Sequence, residues 1–139
     1  SPMQWDDSTN AGFSSAPASS LYIAMDPDKD RPTAKKEMAD PNSLYNEVKK
    51  LIRIRQSHKA LQSRGKITFV YAEKNAYPLA YIREDGDEKI LVIINAAAEA
   101  KTFACDAEPK EAIYNFGAAA EAKNGKITVP AQSAGFYRI

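Results

Sequence analysis

One stretch of this chain constrains its fold more than any other. Ile90-Leu91-Val92-Ile93-Ile94 is a run of consecutive apolar, mostly β-branched residues. A strand with one face in water alternates, so an unbroken run suits a central strand buried on both faces. The segments around it share its chemistry. Lys66-Ile67-Thr68-Phe69-Val70-Tyr71 and Leu79-Ala80-Tyr81-Ile82-Arg83 precede it, and 102–105, 111–116, 126–129 and 135–139 follow, all rich in β-branched or aromatic residues or bounded by turns. Asp85-Gly86-Asp87 and Asn124-Gly125 are hairpin signals. About seven short strands without intervening helices predict an antiparallel β-sandwich over residues 66–139.

Upstream the period changes. Leu44, Val48, Leu51 and Ile52 form one apolar stripe with Tyr45 beside it, and Lys49, Lys50, Arg53 and Lys59 mostly face away. Asp40 as a cap and Pro41 at the first helical position predict a helix from about 41 to 58. Gly65 closes this zone, so the expected division is residues 1–65 and 66–139. Residues 1–40 carry four basic and seven acidic side chains and four of the eight prolines, and keep neither period. They read as loop. Forty residues without regular structure are unusual in an autonomous domain. The segment is therefore expected to be disordered or to lie on a surface outside this chain. Ser1 and the polar opening do not make a signal peptide, and the chain reads as starting inside a longer one.

Composition excludes several function classes. At 139 residues the chain has room for one domain and part of a second. A net charge of +1 gives no electrostatic case for nucleic acid or an anionic membrane. No apolar run approaches the ~18 residues that a membrane span needs. One cysteine, Cys105, and one histidine, His58, offer neither a disulfide framework nor a common metal site, so no metal and no cofactor are expected. The lone cysteine points to a reducing, cytoplasmic compartment. His58 reads as a helix-end packing residue and Cys105 as core. Asp26, Asp28, Asp30 and Glu37 have partial calcium-loop spacing, but Arg31 stands where that loop needs glycine, so they read as a solvated acidic loop. Asp6 and Asp7 are adjacent and cannot face one another across a substrate, and Glu84, Asp85, Asp87 and Glu88 surround a turn. The chain holds no complete catalytic set.

What remains is Pro2-Met3-Gln4-Trp5-Asp6-Asp7-Ser8 with Asn10-Ala11-Gly12-Phe13-Ser14. Trp5, the sole tryptophan, sits between an amide and a carboxylate, the groups with which proteins hold sugars. The alternative is a buried anchor that pins the loop to a scaffold. This segment resembles the PMQWD and NAGF loop of the alpha-amylase superfamily, glycoside hydrolase family 13. More narrowly, it resembles the branch of oligo-1,6-glucosidases, other alpha-glucosidases, dextran glucosidases, trehalose-6-phosphate hydrolases and trehalose synthases. Tyr22 to Asp28, Ala39-Asp40-Pro41-Asn42-Ser43-Leu44, Leu51 to Leu61 and Thr128 to Arg138 resemble later parts of the same proteins in order, with Lys59 where they usually carry proline.

The resemblance implies that residues 1–65 are the last long loop and last helix of an otherwise missing (β/α)8 barrel, followed by the C-terminal sandwich, the whole being mainly β in class. It implies a parent that hydrolyses alpha-linked glucosides with retention. The catalytic Asp, Glu and Asp of the family match nothing here, so this chain's own role would be structural, with the catalytic barrel of the same parent as its partner and the alpha-glucoside bound through that parent. Gln4, Trp5 and Asp6 fall at loop positions near the aglycone side of the family's site, which implies a substrate-binding role. Two other readings stand beside it. One is a non-catalytic carbohydrate-binding module using Trp5 or Tyr71, Tyr77, Tyr81 and Tyr114. The other is part of a glucosyl isomerase such as trehalose synthase.

Overall fold

A computed structural model describes residues 1–139, which form two compact units, Ser1–Arg53 and Ile54–Ile139. The second unit holds eight strands: β1 Lys66–Tyr71, β2 Leu79–Asp85, β3 Glu88–Asn95, β4 Lys101–Ala104, β5 Glu111–Phe116, β6 Glu121–Lys123, β7 Lys126–Val129 and β8 Ser133–Arg138. They make a five-stranded sheet in the order β1-β2-β3-β8-β5 and a three-stranded sheet in the order β4-β7-β6. Every pairing is antiparallel.

The apolar run lies at the centre of the larger sheet, as its composition requires. Leu91 and Ile93 point to one side and join Ala80, Phe103, Cys105, Ile127, Val129 and Tyr137 in the main core. Ile90 and Val92 point to the other, where Ala60 from the short 3-10 turn Lys59–Leu61 covers them. Both hairpin signals form two-residue turns. Asp85 pairs with Glu88 across Gly86, and Lys123 pairs with Lys126 across Asn124 and Gly125, both in the left-handed region that this turn needs. β6 is the strand that patterning does not reveal. Its three residues are all exposed and polar or small, and it is a strand because the Asn124-Gly125 turn folds it onto β7.

Polar side chains pin the sandwich at fixed points. Asn95 is fully buried; its amide donates to the Val129, Pro130 and Glu99 carbonyls at 3.2, 2.8 and 3.0 Å, and its oxygen accepts the Ala97 N–H. Arg83 on β2 donates to the carbonyls of Ala60, Gln62 and Gly65, fixing the turn that covers β3. The Tyr137 hydroxyl donates to Asn115 Oδ1 at 2.7 Å and accepts the Ala120 N–H. A Cβ on Gly135 would come within 2.3 Å of that hydroxyl oxygen, so only glycine lets this ring lie where it does.

The first unit departs from expectation in two places. Residues 1–40 are not wholly irregular: α1 spans Ala34–Ala39. Buried Thr33 caps it, accepting the Lys36 N–H at 3.3 Å, ahead of a run of good helix formers. The second helix, α2, spans Leu44–Ser57 and does not start at Pro41. Asp40 is spent on a local turn, accepting the Asn42 N–H at 2.9 Å, so the cap passes to Ser43, whose Oγ accepts the Asn46 N–H. On α2, Leu44, Val48 and Ile52 stay exposed, Leu44 by 75%.

Candidate functional site

The loop before α1 is built around a backbone feature. Asn10, Ala11 and Gly12 are consecutive left-handed residues, with φ of 50°, 53° and 70°. Asparagine and glycine accept this region readily, whereas alanine meets a steric cost of about 1–2 kcal/mol. The turn swings the carbonyl of buried Ala11 back onto the preceding segment, where it accepts both the Trp5 N–H at 2.8 Å and the Asp6 N–H at 3.2 Å. The Asn10 amide holds the far side, donating to the Ser14 and Ala16 carbonyls at 2.9 and 2.7 Å.

From the other direction α1 ties the same residues. The Ala34 N–H donates to the Gln4 carbonyl and the Lys35 N–H to the Trp5 carbonyl, each at 2.9 Å. Lys36 pairs with Asp7 at 2.9 Å. The backbone of Gln4, Trp5 and Asp6 is thus bound on both sides while the side chains diverge. Trp5 is 52% exposed in this chain. Asp6 Oδ1 accepts both the Ser8 N–H and the Ser8 hydroxyl, and those bonds hold its carboxyl below the usual range. The Gln4 Oε1 is buried without a partner, as is the Arg31 Nε. A cleft of about 420 Å³ opens beside Asp6, Asp7, Ser8, Lys35, Lys36 and Ala39. An outward aromatic face next to an ionised carboxylate is what stacking and hydrogen bonding to a sugar ring require.

The other polar candidates take structural roles. His58 Nδ1 lies 2.6 Å from Glu88 Oε1, and the Ala60 N–H donates to Glu88 Oε2 at 2.9 Å. Cys105 lies in the sandwich core, where burial pushes its thiol up. The side chains of Asp26 and Asp28 accept the N–H groups of Asp28 and Asp30, and Arg31 donates to the Asp28 carbonyl. These contacts close the loop on itself, and no three metal-binding side chains converge there or elsewhere.

Residues 1–64, which contain the whole loop and both helices, match the family of alpha-amylase catalytic domains. They belong to the alpha-amylase family. The likeness continues through the sandwich. The glucan 1,6-alpha-glucosidase of Streptococcus pneumoniae serotype 4 is 30% identical over 129 residues, which cover 93% of this chain and 23% of that protein. The oligo-1,6-glucosidase of Parageobacillus thermoglucosidasius is 35% identical over 102 residues, 73% of this chain and 17% of that protein. The trehalulose synthase MutB of Pseudomonas mesoacidophila MX-45 superposes with a TM-score of 0.78 at 30% identity, over 97% of this chain and 24% of that one. The chain therefore spans less than a quarter of the length of these relatives.

Within this alpha-amylase family segment, sequence patterning did not anticipate α1, which brings Lys35 and Lys36 to the cleft beside Asp6 and Asp7. The signal was present in Thr33 followed by Ala34-Lys35-Lys36-Glu37-Met38-Ala39, a cap ahead of strong helix formers. Of the four sandwich tyrosines, Tyr77 is 47% exposed and the other three pack on phenylalanines. Tyr71 packs on Phe103 with ring centres 5.4 Å apart, Tyr114 on Phe136 at 5.1 Å, and Tyr81 on Phe69 at 6.1 Å.

Proposed function

We propose that this chain is the C-terminal part of a retaining alpha-glucosidase-like hydrolase that acts on alpha-linked gluco-oligosaccharides, and that its own contribution is structural. The observation that carries this reading is the continuous likeness of loop, helices and sandwich to alpha-glucosidases of which this chain's match covers 23% and 17%. Residues 1–65 complete the catalytic barrel, and residues 66–139 are the sandwich that supports it. Trp5, with Gln4 and Asp6, contacts the aglycone side of the substrate. The parent works in the cytoplasm.

Three features support a catalytic barrel as the covering partner. The α2 stripe of Leu44, Val48 and Ile52 is exposed beyond what a surface helix needs. The outer face of the five-stranded sheet likewise leaves Ile67, Phe69 and Phe116 exposed by 46%, 59% and 53%. The orphaned polar atoms of Gln4 and Arg31 fall in the loop, whereas the sandwich satisfies its own. That is the pattern left where a catalytic domain would supply the missing donors and acceptors.

The test compares two proteins. The full-length parent is expected to release the aglycone from an aryl alpha-glucoside with retention at the anomeric carbon, and the 139-residue chain is expected to give no turnover above buffer. Turnover by the short chain would overturn its structural role. The likeness to a trehalulose synthase favours one second reading, a parent that transfers the glucosyl group within its substrate. Product analysis separates the two, since an isomerase returns a new disaccharide where a hydrolase returns free sugars.

A further inference from the structure

The left-handed turn is the one strained segment of the loop whose conformation is tied directly to the candidate site. Ala11 is held left-handed while almost fully buried, a combination that persists only where its surroundings enforce it. Its carbonyl is the single acceptor for the N–H groups of both Trp5 and Asp6. Gly12 comes next, and a Cβ there would lie 2.9 Å from Asp6 Oδ1 and 3.2 Å from the Trp5 Cβ. The backbone of one arm thus fixes the direction of Trp5, and the missing side chain of Gly12 makes room for the Asp6 carboxylate against Ser8.

We propose that Asn10-Ala11-Gly12 is the positioning device of the sugar site, setting the angle at which Trp5 presents its indole face and Asp6 its carboxylate to the aglycone ring. The proposal rests on the reading that Trp5 contacts substrate, and deepens it by naming residues that act through Trp5 and Asp6 without touching the sugar. Asn10 clamps the turn through Ser14 and Ala16, Ala11 supplies the shared acceptor, and Gly12 supplies the space. A stacking platform is sensitive to such control, because tilting an aromatic face by an ångström removes much of its contact with a rigid ring.

Trp5 is the only tryptophan, so its fluorescence reports on this device in the 139-residue chain itself. Gly12→Ala is expected to shift the Trp5 emission and acrylamide quenching and to move the Asp6 titration, followed by NMR, up toward the ordinary carboxylate range, with the sandwich circular dichroism unchanged. In the full-length parent, Gly12→Ala is expected to lower kcat/KM for a disaccharide about tenfold, mostly through KM. Unchanged fluorescence and Asp6 titration in Gly12→Ala would overturn the proposal. So would an unchanged KM in Gly12→Ala alongside a raised KM in Trp5→Ala. An unchanged KM in Trp5→Ala would instead bring down the underlying assignment of Trp5 to the substrate.

Discussion

At the scale of single residues, buried polar groups in the sandwich matter because each is fully used. Asn95 makes four hydrogen bonds from a side chain that is 1% exposed. Asn95→Ala leaves three carbonyls and one N–H to find other partners, and is expected to cost about 2–4 kcal/mol in urea unfolding. Glu88 gives a pH dependence. Burial pushes its carboxyl up, but the Ala60 N–H, the bond to His58 and the attraction of His58 and Arg138 outweigh burial and hold it below its ordinary value. A carboxyl depressed in the folded state binds its proton less readily than in the unfolded chain. Its stabilising contribution is therefore complete above the ordinary carboxylate range and is lost as pH falls through the depressed folded value. The melting temperature is expected to fall on acidification below the ordinary carboxylate range, and Glu88→Gln to flatten that fall. An equally steep acid slope in the variant would assign it to other carboxylates.

At the scale of elements, β3 and α2 are both apolar, yet they differ in what covers them. Ile93 on β3 is fully buried, and Ile93→Ala is expected to cost about 2–4 kcal/mol in this chain. Val48 on α2 is 44% exposed, and Val48→Glu is expected to change the stability of this chain by no more than about 0.5 kcal/mol. In the full-length parent the same Val48→Glu places a charge in the proposed barrel contact and is expected to cost about 2–4 kcal/mol. Chemical denaturation of both proteins checks the contrast. Equal small effects in both would remove α2 from that contact. The patterning that locates these elements is period alone. It found the stripe of α2 and the continuous run of β3, but it put the helix start at Pro41 because it could not see Asp40 engaged with Asn42. It also passed over α1, whose six residues are too few to display an amphipathic period.

At the scale of the whole molecule, the order of loop, helix and sandwich was legible in the sequence, and the proposed site segment Gln4-Trp5-Asp6 stood out there as a motif. Strand periodicity, turn residues and a run of residues in a recognisable motif are local properties, and local chemistry writes them into the chain. The sequence by itself determined that the C-terminal part is an antiparallel sandwich with Ile90–Ile94 at its centre. Only the tertiary structure decided that the two sheets divide five and three, that β6 joins β7, and that His58 ends on Glu88 thirty residues away. Only it decided that the backbone of Gln4, Trp5 and Asp6 is held from both sides, because the Ala11 carbonyl and the α1 N–H groups meet the same short segment from opposite directions. Periodicity records which face of one element is apolar, whereas a contact between distant residues depends on the free energy of the whole packed arrangement, which no single segment encodes.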